Sequence, residues 1–389
     1  YLSQATLDAS FNISKFLAQD WQKRPRLLPQ LVKFDDPLSA EELAGLACEE
    51  EVESRLVLGA RDWTLRHGPF QESDFTSLAE NDWSLLVQSV DIYSNAFKEL
   101  QSLFTFIPKW RLEDVMVSFA APGGGVGPHF DYYDVFLVQG SGQRRWRLGG
   151  KCQINAKLQK NSGLALLNSF NTEQEVILNA GDVLYIPPQF AHWGEAISDS
   201  FCYSIGFRAP SIADMLEGYS EGLIERANPA ERFTNELGFS SNDSAEITIK
   251  DLNKAYSLLQ QKTTNQLAFN KWFGAHMTLP KNPDLFCKLD EVPEYLELQG
   301  ALIANRTLME INSASRMAYA NLPQEQTLLF FVDGRVYVLP PSNLNVVSTI
   351  CNLKYSFKEI FLTLNNNDEL IYVALDMLRE GSLLLSDPI

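Results

Sequence analysis

The chain contains few of the residues that build sulfur-based sites. Among its 389 residues are five cysteines and four histidines, and no two cysteines are separated by only two positions. The odd number of cysteines does not indicate a disulfide framework, and the lack of closely spaced pairs does not indicate a zinc knuckle. A metal site in this protein would have to use imidazole and carboxylate ligands.

Long hydrophobic runs are also absent. No stretch approaches the ~20 apolar residues that a membrane-spanning helix needs. No basic segment followed by an apolar one opens the chain, as it would in a secretory leader. We therefore expect a cytoplasmic protein that has no membrane association.

Positive charge is scarce. The 32 Lys and Arg residues are outnumbered by 49 Asp and Glu residues, which gives a net charge of −17. An acidic surface repels nucleic acid and speeds the encounter with basic partners. Many acidic proteins are simply soluble, so the charge is consistent with a basic substrate without indicating one.

The chain does contain enough apolar material for well-packed domains. Hydrophobic residues make up 45% and aromatic residues 11% of the sequence, and its 389 residues exceed one ordinary core. The pattern predicts an α+β protein in three parts. These are a strand-rich domain over residues 1–210, a helical region over residues 211–280 and a C-terminal domain over residues 281–389.

Short apolar stretches separated by turn residues predict the strands of the first part. They cover residues 115–120, 135–139, 145–148, 174–178, 183–186 and 201–207. This arrangement is typical of a double-stranded β-helix, the jelly roll of the cupins. Before them, Ser39 and Glu42 form a capping box for a helix through about Cys48. The helical spacing of apolar residues over residues 81–104 predicts a second helix.

The region after residue 210 has the pattern of amphipathic helices. Ser211 can cap a helix that carries Met215, Leu216 and Leu223 on one face, and a second helical stretch covers residues 249–260. So few helices cannot bury a large hydrophobic core by themselves. They must pack on the first domain or on another copy of the chain.

The part that begins at residue 281 combines helical stretches with a hairpin. Residues 327–332 and 335–339 are β-rich and flank Asp333-Gly334, a strong hairpin signal. Helices and a hairpin together predict a winged-helix-like domain. This part has 8 Lys and Arg residues against 14 Asp and Glu residues. Because DNA readers normally present a basic face, direct DNA binding is not expected.

His129-Phe130-Asp131 and the distant His192 are the candidate metal ligands. Side chains alternate along a strand, so His129 and Asp131 would face one side while Phe130 faces the other. With His192 from a second strand they form a 2-His-1-carboxylate set, which typically holds non-haem Fe(II) in oxygenases. The alternative is that they are ordinary core or surface residues, since His-x-Asp is common by chance.

The sequence around these ligands favours the metal site. Before His129 lies the turn 122–128 (Pro-Gly-Gly-Gly-Val-Gly-Pro), whose glycines allow positive φ and a close approach of the backbone. A phosphate-binding loop is excluded, because no Gly-Lys-Ser/Thr follows and no helix pattern begins there. Before His192 lie the turn 179–182 (Asn-Ala-Gly-Asp), an apolar strand and two prolines.

The second of these segments resembles a cupin motif, in which a glycine is followed after five residues by a proline and then by a metal-binding histidine. The first departs from the cupins, because His129-x-Asp131 replaces their His-x-His. Together with residues 133–136 (Tyr-Asp-Val-Phe) and 144–147 (Arg-Arg-Trp-Arg), it resembles the JmjC-type bacterial ribosomal oxygenases, also called cupin-4 proteins. The resemblance is strongest over residues 110–210.

The resemblance implies an Fe(II) enzyme that uses 2-oxoglutarate as cosubstrate. The iron would bind His129, Asp131 and His192. Arg144 occupies the position at which such enzymes bind the far carboxylate of 2-oxoglutarate, and Ser118 matches a second contact. A guanidinium can bind a carboxylate through two parallel hydrogen bonds, which a lysine cannot. For Ser118 the alternative is a buried strand serine bonded to backbone.

For Arg144 the alternative is a surface position in an arginine-rich run. Alternation along the predicted strand argues against it. Arg145 and Arg147 would face one way, and Arg144 and Trp146 would face the other.

The same resemblance implies a substrate and an assembly. The substrate would be an arginine of a basic large-subunit ribosomal protein. Tyr133 and Asp134 follow the iron motif, and an aromatic wall with a carboxylate would suit an arginine side chain. Strand packing is the equally weighted alternative for both residues. The helical region would form a homodimer, which we expect through residues 211–272.

Two other functions stay open at this point. One is a histidyl hydroxylase, or another 2-oxoglutarate-dependent hydroxylase, that acts on a different protein. The other is a non-catalytic cupin that binds a metal or a sugar. Arg144 and the His-x-Asp motif argue against the second, because a passive cupin needs neither.

Overall fold

The computed structural model describes residues 5–59, 62–153, 155–159, 163–234, 245–353, 355–365 and 367–387. The chain divides into two compact units, Tyr1–Ala209 and Pro210–Ile389. The further division of the second unit at residue 280 stays a prediction. None of the described helices is both long and apolar enough to span a membrane.

The first unit is built mainly from short strands. Its described strands are β1 (Thr6–Leu7), β2 (Arg26–Leu28), β3 (Val32–Lys33), β4 (Ser54–Leu58), β5 (Thr64–His67), β6 (Trp83–Val87), β7 (Leu112–Ala120), β8 (Asp134–Gln139), β9 (Gln143–Lys151), β10 (Gln174–Asn179), β11 (Val183–Ile186), β12 (Phe190–Ala196) and β13 (Ser200–Phe207). Its described α-helices are α1 (Ile13–Gln19), α2 (Ala40–Leu46), α3 (Glu72–Thr76) and α4 (Asn95–Ser102).

Two sheets of this unit enclose an apolar interior, the barrel chamber. The large sheet has the order β2-β11-β8-β13-β7-β6-β4-β5 and the small sheet the order β10-β9-β12, with antiparallel pairing throughout. The buried side chains of the chamber are Val135, Leu137, Trp146, Leu148, Leu178, Leu184, Ile186 and Cys202. All the predicted strands are present, and the architecture is the predicted double-stranded β-helix.

The opposite face of the large sheet packs against helices. Along β8, Phe136 and Val138 face this side, where Phe16 of α1 is also buried, whereas Val135 and Leu137 face the barrel chamber. Because side chains alternate along a strand, the position of a residue in its strand decides whether it reaches the chamber.

Residues 81–104 do not form the predicted single helix. The first part is strand β6 and the last part contains helix α4, with a 3-10 turn at Val90–Ile92 between them. Leu85, Leu86 and Val87 of β6 are all buried. A strand covered on both faces shows no alternation, so its apolar residues fitted a helical spacing by chance.

The second unit mixes helices with a small sheet. Its described helices are α5 (Ile212–Arg226), α6 (Ile249–Thr263), α7 (Gln266–Met277), α8 (Tyr295–Ile303), α9 (Leu344–Asn352), α10 (Lys358–Thr363) and α11 (Asp368–Arg379). Its described strands are β14 (Leu308–Ile311), β15 (Met317–Leu322), β16 (Thr327–Val332), β17 (Arg335–Leu339) and β18 (Leu383–Ser386).

The hairpin expected around Asp333-Gly334 is confirmed. Strands β16 and β17 pair antiparallel, and β15 adds a third strand beside β16. Asp333 and Gly334 have φ angles of 49° and 80°, as the two central residues of a type I′ turn require. Buried residues of β16 share a core with helices α9, α10 and α11. The winged-helix interpretation of this region stays a prediction.

Two predicted helix caps are present. Before α2, Ser39 Oγ accepts the N–H of Glu42 at 3.2 Å, and the Glu42 carboxylate accepts the N–H of Ser39 at 2.7 Å. Before α5, Ser211 Oγ accepts the N–H of Asp214 at 3.0 Å. A cap satisfies N–H groups that have no partner inside the helix, so it can be read from neighbouring residues alone.

Candidate metal centre

The three predicted metal ligands lie together in the first unit. Their ligand atoms are within 4.8 Å of one another, and they form the one such group of His, Cys, Asp or Glu among the described residues. Asp131 Oδ2 lies 4.0 Å from His129 Nε2 and 3.6 Å from His192 Nε2. The two imidazoles therefore present the same nitrogen to the carboxylate.

Backbone carbonyls orient both imidazoles. Nδ1 of His129 lies 2.9 Å from the carbonyl oxygen of Gly127, and Nδ1 of His192 lies 2.9 Å from that of Phe190. A hydrogen on Nδ1 would donate to each carbonyl and leave Nε2 with a free lone pair for a metal. Burial, followed by the neighbouring His129, lowers the pKa of His192 to about 4. His192 is therefore a neutral ligand at physiological pH.

The glycine-rich turn lies alongside β12 and brings the ligands together. The N–H of His129 donates to the carbonyl of His192 at 3.0 Å, and the N–H of His192 donates back at 2.8 Å. Further along, the N–H of Gly123 donates to Ala196 at 2.9 Å and the N–H of Ala196 donates to Gly124 at 2.9 Å. These bonds hold the two histidines side by side.

One detail of this arrangement differs from the prediction. His129 and Asp131 do not begin a strand, because they lie before β8 and His129 forms only an isolated bridge to His192. As predicted, His192 lies on a second strand, β12. The new strand begins at Phe190, directly after the turn that the prolines make.

Two glycines of the turn are required by close contacts. A Cβ on Gly125 would lie 2.2 Å from the carbonyl oxygen of Gly194. Gly127 has a φ of +87°, and a Cβ there would lie 2.9 Å from the ring of Trp63. Only glycine allows this backbone to pass so close to its neighbours.

Gln189 links the two ligand segments through its backbone. Its N–H donates to the carbonyl of Asp131 at 2.6 Å, and its own carbonyl accepts the N–H of Cys152 at 2.7 Å. Its φ is 69°, which a residue other than glycine adopts only when its surroundings impose it. The turn before β12 therefore fixes the position of Asp131.

We expect Gln189→Pro to weaken metal binding about 10–100-fold, the usual effect of removing support behind a ligand. Proline has no N–H and cannot adopt a positive φ. Gln189→Gly is the matched control and should bind metal as the wild type does, because glycine keeps both features. Titration with Co(II), followed by absorption, measures the affinity. Equal affinities in two folded variants would show that this backbone bond does not matter.

Arg144 is buried in the barrel chamber. Its Nε donates to Ser200 Oγ at 3.0 Å and its Nη1 to Ser118 Oγ at 2.7 Å. Its Nη2 donates to the backbone carbonyls of Ser118 and Ser200, both at 2.9 Å. All but one of its N–H groups are thus occupied, and the remaining one is on Nη1.

No carboxylate among the described residues forms an ion pair with Arg144, and burial lowers the pKa of its guanidinium. A buried cation without a counter-ion is costly, so it usually has an anionic partner. The free Nη1 hydrogen and the missing carboxylate together indicate a site for an anionic ligand.

The predicted alternation along β9 is confirmed. Arg144 and Trp146 are buried in the chamber, whereas Arg145 and Arg147 lie on the outer face. There both bind the same two carboxylates, those of Glu175 and Glu195, at 3.2 to 3.4 Å. Strands β8 and β9 are consecutive in the chain but belong to different sheets. Arg144 reaches the large sheet across the chamber.

Ser118 lies beside Arg144, inside the chamber. Its hydroxyl accepts from Arg144 Nη1 at 2.7 Å and donates to the backbone carbonyl of Cys202 at 3.3 Å. The backbone contact agrees with the alternative of a buried strand serine. The contact with Arg144 places the hydroxyl beside the cation that is predicted to bind the cosubstrate. A direct contact with a cosubstrate stays a prediction.

Tyr133 and Asp134 are adjacent in sequence but lie in different surroundings. The Tyr133 side chain is 43% exposed. Burial of its hydroxyl, followed by the nearby carboxylates of Asp131 and Asp114, raises its pKa. The Tyr133 hydroxyl thus lies near Asp131, one of the three metal ligands.

Asp134 lies on the helix-covered side of β8 and is fully buried. Its carboxylate accepts hydrogen bonds from Tyr185 at 2.6 Å, from Gln22 at 3.0 Å and from Arg111 at 3.1 Å. These partners satisfy it on the side that faces away from the barrel chamber. These contacts agree with the alternative that Asp134 serves strand packing, and we do not assign it to substrate binding.

Sequence reasoning missed several contributors to the site. Ser200 and Gln189 contact the key residues through a hydroxyl and through backbone atoms. Asp114, which is buried, accepts from the Gln88 side chain and from the Ser89 hydroxyl, each at 2.8 Å. A serine, a glutamine and an aspartate in strands or turns give no signal of their own, so none could have been selected before the fold was known.

Comparisons with known proteins agree with this geometry. The family model for the JmjC domain matches residues 99–215. The ribosomal protein uL16 3-hydroxylase of Escherichia coli (strain K12) is 35% identical over 320 residues, which cover 80% of this chain and 85% of that protein. A probable ribosomal oxygenase of Haemophilus influenzae is 33% identical over 74% of this chain and 75% of its own length.

Solved structures extend the likeness to nearly the whole chain. An X-ray structure of E. coli YcfD has a TM-score of 0.86 at 30% identity and covers 98% of this chain and 100% of that one. The structure of E. coli YcfD, a ribosomal oxygenase, in complex with cobalt and 2-oxoglutarate has a TM-score of 0.83 at 29% identity, over 98% and 99% of the two chains. The metal-ligand geometry, the domain match and these relatives lead to one conclusion: the chain belongs to the family of JmjC-domain ribosomal oxygenases.

Proposed function

We propose that this protein is an Fe(II)- and 2-oxoglutarate-dependent hydroxylase that modifies an arginine of a basic large-subunit ribosomal protein. The observation that carries the proposal is a His-Asp-His ligand set in the same barrel as a buried arginine that pairs with no carboxylate among the described residues. A passive metal-binding cupin would need the ligands but not the buried cation.

The donor set fits Fe(II). His129, Asp131 and His192 supply two neutral imidazole nitrogens and one carboxylate, which suit this metal and leave coordination positions for other ligands. Bound there with 2-oxoglutarate, iron would supply the activation of O2 that puts one oxygen atom into a C–H bond and yields succinate and carbon dioxide. The protein's part is to hold the ligands in place and to orient the reactants.

Arg144 is suited to the far carboxylate of the cosubstrate. Ser118 and Ser200 hold the guanidinium through four hydrogen bonds, so its orientation is set before a ligand arrives. The remaining Nη1 hydrogen and the uncompensated charge then bind the carboxylate. Preorganisation lowers the entropy that binding must lose.

Charge and aromatic side chains support a basic peptide as the substrate. The exposed Tyr132 and Tyr133 follow directly after the metal ligands, and Asp114 and Asp131 lie near the Tyr133 hydroxyl. An aromatic face together with carboxylates would receive a guanidinium. The net charge of −17 favours the approach of a basic protein. The E. coli relative is named for uL16, a ribosomal protein.

The direct test is incubation with Fe(II), 2-oxoglutarate and purified uL16, followed by peptide mass spectrometry. We expect one uL16 peptide to gain a single oxygen atom and fragmentation to place it on an arginine. Omission of 2-oxoglutarate should prevent the gain. An oxygen on another residue type would overturn the arginine assignment, and no gain on any ribosomal protein would overturn the proposed substrate class.

Histidyl hydroxylation is the second candidate. Proteins named bifunctional lysine-specific demethylase and histidyl-hydroxylase NO66 match this chain, but over only 20–30% of it: the matches from Drosophila mojavensis and Dictyostelium discoideum cover 26% and 22%. The uL16 relative matches 80%. The same fragmentation spectra distinguish a modified histidine from a modified arginine.

The helical region supports a homodimer. Large apolar side chains are exposed on α5 at Ile212, Leu216 and Ile224 and on α6 at Ile249, Leu252, Tyr256 and Leu259. Helix α6 has no buried residue at all. An apolar stripe of this extent is typical of a contact with another protein. We propose that a second copy covers it, through residues 211–272, of which residues 235–244 lie outside the described residues.

We expect Leu216→Glu and Leu259→Glu to convert a dimer into monomers, because each would bury a charge in the proposed contact. These side chains are 63% and 71% exposed, so the substitutions should leave the fold of one chain intact. Leu296→Glu is the matched control, since Leu296 is 75% exposed on α8, outside the region. Light scattering at micromolar concentration measures the mass. A wild type with the mass of one chain would contradict the proposal.

A further inference from the structure

The register between strands β9 and β12 gives the order of the side chains along one wall of the barrel chamber. Arg144 pairs with Ala196, Trp146 with Gly194 and Leu148 with His192. Alternate residues of a strand lie about 6.7 Å apart on the same face. Trp146 therefore lies midway along the strand between the level of the buried cation and the level of the metal ligand.

Trp146 is held in this place by its partner across the ladder. A Cβ on Gly194 would lie 2.7 Å from the Trp146 ring, so the ring lies against a backbone position that only glycine leaves open. The centroid of the ring is 6.0 Å from that of His192. The side chain is 6% exposed. Its position is fixed and close to the metal ligands.

The indole N–H of Trp146 is buried and has no hydrogen-bond partner among the described residues. The residues that share its cluster, such as Leu137 and Leu184, are apolar and offer no acceptor. Buried tryptophan N–H groups are normally hydrogen-bonded, and each exception calls for an explanation. The chamber also holds Arg144, which has no counter-ion in the described parts of the chain, and an anionic ligand would satisfy both groups.

We propose that Trp146 is a cosubstrate-binding residue. Its ring forms a wall of the path between the metal ligands and Arg144, and its N–H donates to an oxygen of the dicarboxylate that spans them. The inference rests on the proposed function, because it takes 2-oxoglutarate as the occupant of this path. It adds an uncharged donor to the contacts that Arg144 and Ser118 would make.

The test is Trp146→Phe, which keeps an aromatic ring and removes the donor. Calorimetric titration of the Co(II)-loaded protein with 2-oxoglutarate, and separately with succinate, measures affinity without turnover. We expect about tenfold weaker binding of 2-oxoglutarate, the usual loss for one hydrogen bond to a charged acceptor. The affinity for Co(II) itself should be unchanged. Trp193→Phe is the matched control, because Trp193 stacks on Arg147, on the outer face of the sheet.

A measurement on the wild type covers the case in which the variant does not fold. Of the seven tryptophan indole N–H signals in a nitrogen-15 NMR spectrum, the one most broadened by Co(II) should be that of Trp146. In the Zn(II) form this signal should shift and become protected from solvent exchange when 2-oxoglutarate is added.

Three results would overturn the inference. They are an unchanged affinity for 2-oxoglutarate in folded Trp146→Phe, a loss of Co(II) binding in that variant, and an indole signal that does not respond to 2-oxoglutarate. If the wild-type Co(II) protein binds neither 2-oxoglutarate nor succinate, the proposed function fails first. If instead the wild type and Trp146→Phe bind 2-oxoglutarate equally tightly, the proposed function stands and only the role of Trp146 is overturned.

Discussion

Alanine at His129, Asp131 or His192 is expected to abolish iron-dependent hydroxylation. Each residue supplies one of three ligand atoms that lie within 4.8 Å of one another. Two protein ligands rarely hold Fe(II) in an active geometry. Removing a group that only supports a ligand typically costs about 10–100-fold, and the loss of a ligand itself should exceed this and leave no measurable turnover.

Turnover of 2-oxoglutarate to succinate, together with Co(II) affinity, measures this effect. His67→Ala is a suitable control, because His67 is an exposed residue of β5 and is not part of the ligand group. It should retain full activity. Substantial activity in any of the three ligand variants, at saturating iron, would refute the assignment of that residue.

Arg144→Ala is expected to raise the 2-oxoglutarate concentration needed for half-maximal turnover by about 30–1000-fold. A charge-assisted contact in a closed site contributes on the order of 2–4 kcal/mol, and each 1.4 kcal/mol is about tenfold in affinity. Co(II) affinity should change little, since Arg144 contacts Ser118 and Ser200 and not the metal ligands.

Arg144→Lys is the informative companion to this variant. It keeps the positive charge but cannot form the four contacts that orient the guanidinium. We expect an affinity between those of the wild type and of Arg144→Ala. Titration of the metal-loaded proteins with 2-oxoglutarate gives the three values. Equal values for the wild type and Arg144→Ala would show that Arg144 does not bind the cosubstrate.

The ligand types and much of the secondary structure were predictable because the signals are local. His129 and Asp131 are two positions apart behind a glycine-rich turn, and the donor chemistry of His and Asp is independent of the fold. The capping box at Ser39 and the Asp333-Gly334 turn depend on neighbouring residues only. The same holds for alternation along a single strand, which placed Arg144 and Trp146 on one face.

Other parts of the site depend on which strands lie opposite each other. The carboxylate of Asp134 could bind a basic substrate, but its position in β8 directs it toward Tyr185 and Arg111 on the helix-covered side of the sheet. The sequence of strand β6 predicts a helix, because burial on both faces removes the alternation that marks a strand. Neither outcome is encoded in a short window of sequence.

The sequence alone determined which residues can bind a metal and which family they resemble, because these are properties of residue type and spacing. The tertiary structure decided what surrounds them. It placed Ser118 and Ser200 of the large sheet around Arg144 of the small one, and it left the Trp146 N–H without a partner among the residues that the structure describes. Hydrogen bonds and burial between residues far apart in the chain follow from how the two sheets face each other, which no local pattern specifies.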